Sequence, residues 1–448
     1  MQWTDNAEEL LEDRYLQRTG EGEVTETPDE MLHRVAKAVA MDKEEVPDFY
    51  RIMDAGDFLP NSPTLMNAGT SIGQLSACFV LPVEDDLGSI YQTIKEAALI
   101  WKSGGGTGFN FSNLRQRGAF VRSTQGRSKG PLSFIEVFDS SASTIEQGGR
   151  RPGANMALLR VDHPDIWEFI DAKREDGKFT NFNFSVGITE EFMKDLRAGD
   201  QTPLRDPRNG EVVSQVSTTK VWEALSEAAH DNGEPGVVFL DKINETDFRD
   251  SLGAMEAINP CGEQPLYPYE SCNLGSINLA NHMDAGDFNL GRLKHTVETA
   301  VRFLDNVITV NQYPLDKVAN MTRSTRKIGL GVMGWAEALA MAGIPYDSDV
   351  ALRMADMVMG YINRTAHATS QTLVEEKGAF PAWDSRIPEH RRNATLTTVA
   401  PTGSISQLAG TSFGIEPFYS LDYTHNGKDV SFDFDPENVC NREEERVK

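Results

Sequence analysis

The stretch Asn259-Pro260-Cys261-Gly262-Glu263, followed by Ser271-Cys272-Asn273-Leu274-Gly275-Ser276, constrains this chain more than any other. The sequence holds only four cysteines, Cys78, Cys261, Cys272 and Cys440, and two of them lie eleven residues apart here. Asn259, Cys261 and Glu263 alternate, so an extended segment would project an amide, a thiol and a carboxyl to one side. Pro260 and Gly262 disfavour regular strand and helix interiors, which makes a shaped loop the better reading. Three chemistries stay open for Cys261. A nucleophile would need a base from elsewhere, since no His is close in sequence. A metal ligand would need nearer partners than Cys272, and no His cluster accompanies it. A redox or radical thiol would take Cys78 or Cys272 as partner. The plain structural alternative is a buried cysteine acting as a small hydrophobe.

A chain of 448 residues has room for two or more domains or for one large α/β unit. It has no apolar run long enough for a transmembrane helix. Residues Met1 to Glu9 are polar and acidic, unlike a signal peptide. Few cysteines and no secretion signal imply a reducing cytoplasm, where a cysteine pair would be catalytic rather than structural. The formal net charge of −25 disfavours nucleic-acid binding, which needs a basic footprint. The acidic surface suits high salt, or is that of an ordinary acidic enzyme.

Several elements are legible in order. Thr27-Pro28-Asp29-Glu30 reads as a capped helix start, with Leu32, Val35 and Val39 on one face. Leu59 to Gly69 reads as a Pro/Asn/Gly-rich connector, and Leu75 to Leu81 as a buried strand. Asp85 to Ser89 leads into a helix. Ser103 to Asn110 reads as a Gly-rich loop able to approach phosphate, though no Walker or dinucleotide motif is present. Arg122, Arg127 and Lys129 sit in a basic loop, which suits a polyphosphate or is merely solvated. Pro131 to Glu146 looks helical, and Gln147 to Asn155 is a second Gly-rich loop. His163, before Pro164, reads as a capping or packing residue rather than a ligand. Asn181 to Ile188 alternates as a strand, Arg197 to Thr219 is a surface excursion with a hairpin, and Val237 to Leu240 is a short buried strand. Leu290 to Tyr313 and Val350 to Lys377 are long helices, with Met354, Met357 and Met359 as core or interface filler. Thr395 to Ser406 is a β-rich run ending in Pro-Thr-Gly-Ser, and its opening helix would offer amides to a phosphate.

NPCGE followed by ESCNLGSINLA resembles the active-site finger loop of ribonucleotide reductases, most like the adenosylcobalamin-dependent class II enzymes. LPNSPTLMNAG, LSACFVL, SGGGTGFNFSNLR and TLTTVAPTGSIS resemble the same family, from about Thr27 to about Ser420. The resemblance implies an α/β fold: a ten-stranded thiyl-radical barrel with a central finger loop, preceded by a small helical domain. The expected division is 1–70 helical and 71–448 barrel, with no room for an N-terminal ATP-sensing cone. The last barrel strands and a C-terminal cysteine tail are not recognisable beyond Ser420. A complementary C-terminal chain is therefore an expected partner, because Cys440 alone cannot be a tail dithiol.

The same resemblance implies the site. Cys261 is the thiyl radical, Glu263 the general base at the 3′-hydroxyl, and Asn259 a ligand of the ribose hydroxyls. Cys78 and Cys272 are the reducing dithiol that becomes a disulfide. Ser62, Ala77, Pro401, Thr402, Gly403, Ser404 and Ile405 contact substrate with Cys78, Asn259, Cys261 and Glu263. Asp85, Arg115 and Arg122 contact an effector nucleotide (dATP, dTTP or dGTP), and residues 147–155 carry its message to the substrate. The substrate is a ribonucleoside diphosphate, the cofactor adenosylcobalamin, the reductant thioredoxin-like, and the assembly a cytoplasmic homodimer. No metal, membrane or nucleic acid is implied. No DxHxxG-type cobalamin motif is present, and the class II fold is not expected to need one. The rivals are a class I large subunit fed by a diiron or dimanganese partner, and a catalytically silent nucleotide-binding half. A glycyl-radical barrel is disfavoured by Cys78 and Cys272.

Overall fold

The computed structural model describes residues 1, 3–145, 154–175, 177–245, 252–385, 387 and 389–418, with the short strands Tyr423–Asn426 and Ser431–Phe434. Residues 147–153 of the second Gly-rich loop, and Cys440, lie outside them. The chain divides into two compact units, Met1–Ala77 with Cys272–Lys448, and Cys78–Ser271.

In the Cys78–Ser271 unit five strands pair in parallel, in the order Cys78–Pro82, Gly106–Asn110, Asn155–Arg160, Phe182–Ile188 and Gly236–Phe239. Parallel neighbours need long crossovers, and the helices Leu87–Lys102, Pro131–Ser143, Ile166–Asp171 and Thr218–Asn232 lie in them. The inner strands are buried almost throughout, as both faces of a parallel sheet require. Two expectations change here. Gly106–Asn110, read as part of a loop, is a fully buried strand. Val237 to Leu240, read as a buried strand, is instead the sheet-edge strand Gly236–Phe239 followed by the helical turn Leu240–Ile243. Val237 and Phe239 are 42% and 44% exposed, and only the Val238 face is covered. The expected surface hairpin is present as Gln201–Arg205 with Val212–Ser217.

In the other unit, strand Ser271–Asn278 runs antiparallel to Phe58–Pro60 and parallel to Ile328–Met333. The helix Pro28–Val39 opens on the expected capping box. Glu30 N donates to Thr27 Oγ1 at 3.3 Å, and Thr27 N donates to the Glu30 carboxylate at 2.9 Å. Its face of Met31, Leu32, Val35, Ala36 and Val39 is buried. The helix Leu290–Val310 packs against Pro28–Val39, Val46–Asp54, Asp349–Lys377 and the strand Ile328–Met333. Met354 and Met359 pack on this core, while Met357 is exposed. The Leu59–Gly69 connector contains a helix, Ser62–Asn67, because Asn61 caps it by accepting from Thr64 N at 3.0 Å. The β-rich run after Thr395 forms only a bridge, Thr397 with Leu330. No described helix is long and apolar enough to cross a membrane.

Asp305, fully buried on the Leu290–Val310 helix, ties this unit together. It accepts from Arg326 Nε at 2.8 Å, Asn393 Nδ2 at 3.0 Å and Arg392 Nε at 3.3 Å, with Lys377 Nζ at 3.5 Å. Burial alone would raise its carboxyl; Arg326, Arg392 and Lys377 hold it below the usual range. Asp305→Asn would leave three cations without their common counter-charge. Urea unfolding should show a loss of about 3–5 kcal/mol, the scale for breaking a buried ion cluster. A loss under about 1 kcal/mol would show that these charges are already solvated.

Candidate active site

The Cys261 loop is the tip of a very short hairpin, in which Ala257–Ile258 pairs with Pro265–Leu266. It is a shaped turn, as Pro260 and Gly262 require, and Gly262 adopts φ +89°. Asn259 N donates to Gln264 O at 3.2 Å, and Gly262 N donates back to Asn259 O at 3.1 Å. The turn therefore does not project its three polar side chains alike. Asn259 is fully buried, Glu263 is largely enclosed and Cys261 is exposed.

The hairpin lies on the strand Gly106–Asn110. A Cβ on Gly106 would stand 2.9 Å from the Pro260 ring, and one on Gly108 would overlap the Ile258 carbonyl oxygen. Glycines two apart in a strand share a face, so they leave a bare track on which another backbone can rest. This is the role of the Gly-rich segment, and the reading of Gly106 and Gly108 as phosphate-cradling loop residues is corrected accordingly. Asn183 Nδ2 holds the Pro260 carbonyl at 2.8 Å. Asn183 was not singled out from sequence; its place in an alternating strand was the only available signal.

Asn259 organises the polar groups. Its Nδ2 donates to Cys78 Sγ at 3.2 Å, and its Oδ1 accepts from Gln264 N at 2.9 Å. Burial pushes the Glu263 carboxyl up, against hydrogen bonds from Asn259 and from its own backbone amide. The unit thus joins Cys78, Asn259 and Glu263 beneath an exposed Cys261. A carboxyl raised by burial, two residues from an exposed thiol, can take up and release a proton while the thiol meets a reactant.

The other expected residues fall as follows. Cys272 is buried in the strand Ser271–Asn278, and Ala77 is half-buried just before Cys78. Ser62 opens the helix Ser62–Asn67, with Tyr15 OH 2.7 Å from its Oγ. Pro401 is exposed and Thr402 takes φ +59° before the helix Gly403–Ala409, which also carries Ser404 and Ile405. Thr402 Oγ1 lies 2.6 Å from Ser406 Oγ and accepts from Gly414 N at 2.7 Å. Asp85 and Arg115, assigned by resemblance to different parts of an effector, pair with each other at 2.8 Å, and Arg122 is exposed. His163 is a packing residue. Its Nδ1 accepts from Asp165 N, so Nε2 carries the proton given to Leu114 O, and burial lowers its pKa. No described cluster of His, Cys, Asp and Glu could hold a metal.

Residues 1–73 match the family model for the ribonucleotide reductase all-alpha domain, and residues 76–392 and 389–439 match that for its barrel domain. A vitamin B12-dependent ribonucleoside-diphosphate reductase of Mycobacterium tuberculosis (strain ATCC 25618 / H37Rv) is 47% identical over 428 residues, 93% of this chain and 61% of that protein. One from Thermoplasma acidophilum is 49% identical over 391 residues, 85% and 51% of the two chains. The ribonucleoside-diphosphate reductase large chain of Neurospora crassa is 30% identical over 477 residues, 92% and 51%. The chain therefore spans only 51–61% of the length of these relatives.

Two outcomes test this geometry. Gly108→Ala should cost about 1–3 kcal/mol in urea unfolding, because the new methyl must displace the Ile258 carbonyl; a neutral substitution would mean that the hairpin is not seated there. For Glu263, a folded pKa above the unfolded one means its contribution is full at low pH and is lost as pH rises through the folded value. Glu263→Gln should therefore gain on wild type in melting temperature as pH rises above the ordinary carboxylate range and through the folded value. A constant difference would place the carboxyl in water.

Proposed function

The chain belongs to the ribonucleotide reductase family, and from that membership we propose that it is a catalytic chain reducing ribonucleoside diphosphates to deoxyribonucleotides by thiyl-radical chemistry. The observation that carries this reading is the Asn259 carboxamide, bonded to Cys78 and to Glu263 under an exposed Cys261. Those are the residue types the reaction needs, from one turn and one adjoining strand.

The roles follow from the chemistry. The ribose 2′-hydroxyl leaves readily only after C3′ has lost a hydrogen atom. Cys261, as a thiyl, takes that hydrogen and later returns it. Glu263 accepts the 3′-hydroxyl proton, and burial, which raises its carboxyl, favours its holding that proton until it is given back. Asn259 orients the hydroxyls and holds Cys78. Cys78 and Cys272 give two electrons and two protons, so the 2′-hydroxyl departs as water and a disulfide remains. Ser62 and Thr402 to Ile405 hold the substrate phosphates, and Ala77 and Pro401 contact the substrate.

The exposed thiol at the turn apex fits a cofactor that abstracts hydrogen from sulfur. Adenosylcobalamin, when bound, supplies the radical that starts turnover. The relatives at 47% and 49% identity carry vitamin B12 in their names, whereas the large chain from Neurospora crassa stands at 30%; this favours adenosylcobalamin over a metal-radical partner.

The domain division follows the same reading: 1–70 helical, 71–448 barrel, completed by a complementary C-terminal chain. Among the described residues the strand Gly236–Phe239 pairs on one side only, with Phe182–Ile188, which supports the addition of further strands. Asp85, Arg115 and Arg122 form an effector site in a cytoplasmic homodimer. An effector taking Arg115 on phosphate and Asp85 on sugar competes with their ion pair. A thioredoxin-like protein reduces the disulfide.

The test is anaerobic conversion of CDP to dCDP with adenosylcobalamin, a dithiol and dATP. Turnover in wild type, alone or with the downstream chain of a full-length relative, should fall to background in Cys261→Ala. A folded chain that binds dATP but never turns over in either setting would favour the silent nucleotide-binding half instead.

A further inference from the structure

We propose that Asn244 is a positioning residue, whose carboxamide sets where the Asn259–Glu263 turn stands on the sheet by pairing with both backbone groups of Met255. This rests on the reading of that turn as the reactive site.

Asn244 follows the helical turn Leu240–Ile243 and is 8% exposed. Its Nδ2 donates to Met255 O and to Leu240 O, both at 2.8 Å. Its Oδ1 accepts from Met255 N, also at 2.8 Å. A carboxamide has the donor and acceptor of a peptide unit, so Asn244 serves Met255 as a neighbouring strand residue would. Met255 is buried and lies directly upstream of the hairpin.

The hairpin needs such an anchor. Its own ladder has two residue pairs, and one of them uses Pro265, which has no N–H to give. A two-stranded ribbon this short does not hold its own position. Beneath it lie Gly106 and Gly108, which permit close approach but offer no side chain to interlock. Besides the packing of Ile258 with Met156, Leu158, Val238 and Leu240 and the Asn259–Cys78 bond, one side-chain amide grips each end: Asn183 on Pro260 at the apex, and Asn244 on Met255 at the base. With the base free, the turn can shift along the glycine track and carry Asn259 away from Cys78.

Asn244 also borders a cavity of about 370 Å³, with Asn110, Arg160, Asp241, Met255 and Glu256 on its wall. Water from this polar cavity can solvate Met255 once the amide is removed. Asn244→Ala should therefore fold, and its effect should be one of position.

The test is hydrogen exchange on the full chain, comparing wild type, Asn244→Ala and Asn183→Ala. In Asn244→Ala the Gly262 and Gln264 amides, which close the turn onto Asn259, should exchange about ten-fold faster or more. The amides of Phe111 and Val161, bonded within the sheet, should stay within about two-fold. Asn183→Ala should affect the same turn amides from the other end. Asn244→Asp keeps the acceptor for Met255 N but loses the donor, so it should fall between; it replaces the alanine variant if that one does not fold. Where turnover is measurable, Asn244→Ala should lower kcat about ten-fold or more with KM within about two-fold. Unchanged Gly262 and Gln264 exchange would overturn the proposal, as would equal acceleration of Phe111 and Val161, which marks a global role. Faster turn exchange with unaltered kcat would overturn it too. Absence of turnover in wild type would refute the proposed function alone and leave the exchange result to decide the anchor.

Discussion

Backbone against backbone, the seating of Ile258 and Pro260 on Gly108 and Gly106 is the contact from which the site follows. The parallel register places Cys78 beside Gly106. A turn whose Pro260 rests over Gly106 therefore carries Asn259 to within 3.2 Å of the Cys78 sulfur. Any side chain on the track would lift the turn and break that bond. Sheet register, glycine placement and the tight turn at Gly262 are one geometric condition for joining a thiol, an amide and a carboxyl.

Charge is handled differently in the two units. Asp305 is buried with Arg326, Arg392 and Lys377 around it, and the attraction keeps it ionised despite desolvation. Glu263 is largely enclosed, and burial raises its carboxyl against the hydrogen bonds from Asn259 and from its own backbone amide. The first arrangement suits a structural tie that never changes state. The second suits a group that must gain and lose a proton during a reaction. The net charge of −25 says nothing of either, because it counts every carboxyl alike wherever it lies.

Local signals were read well where the cause is local. The Thr27–Glu30 capping box, the long helices at Leu290 and Asp349 and the Gln201–Ser217 hairpin follow from contacts close in sequence or from uninterrupted periodicity. The failures share a cause. Gly106 and Gly108 read as loop because the hairpin that requires them lies about 150 positions downstream. The Gly236–Phe239 strand read as fully buried because an apolar run is alike at a sheet centre and at a sheet edge. The helix after Asn61 was hidden by a Pro/Asn/Gly composition equally suited to a connector.

The sequence alone determined the chemistry on offer: one thiol between an amide and a carboxyl, two further cysteines, and a turn that Pro260 and Gly262 make unavoidable. Those are properties of residue types and of spacing along one short segment, and its wording sufficed to identify the family. Only the tertiary structure decided that Asn259 would serve Cys78, that Glu263 would be enclosed while Cys261 is exposed, and that Asn183 and Asn244 would grip the turn from its two ends. The hydrogen bonds from Asn183 and to Cys78 span 77 and 181 positions of chain. They exist because strand register brings the residues together, and register is set by the packing of the whole sheet rather than by any segment of it.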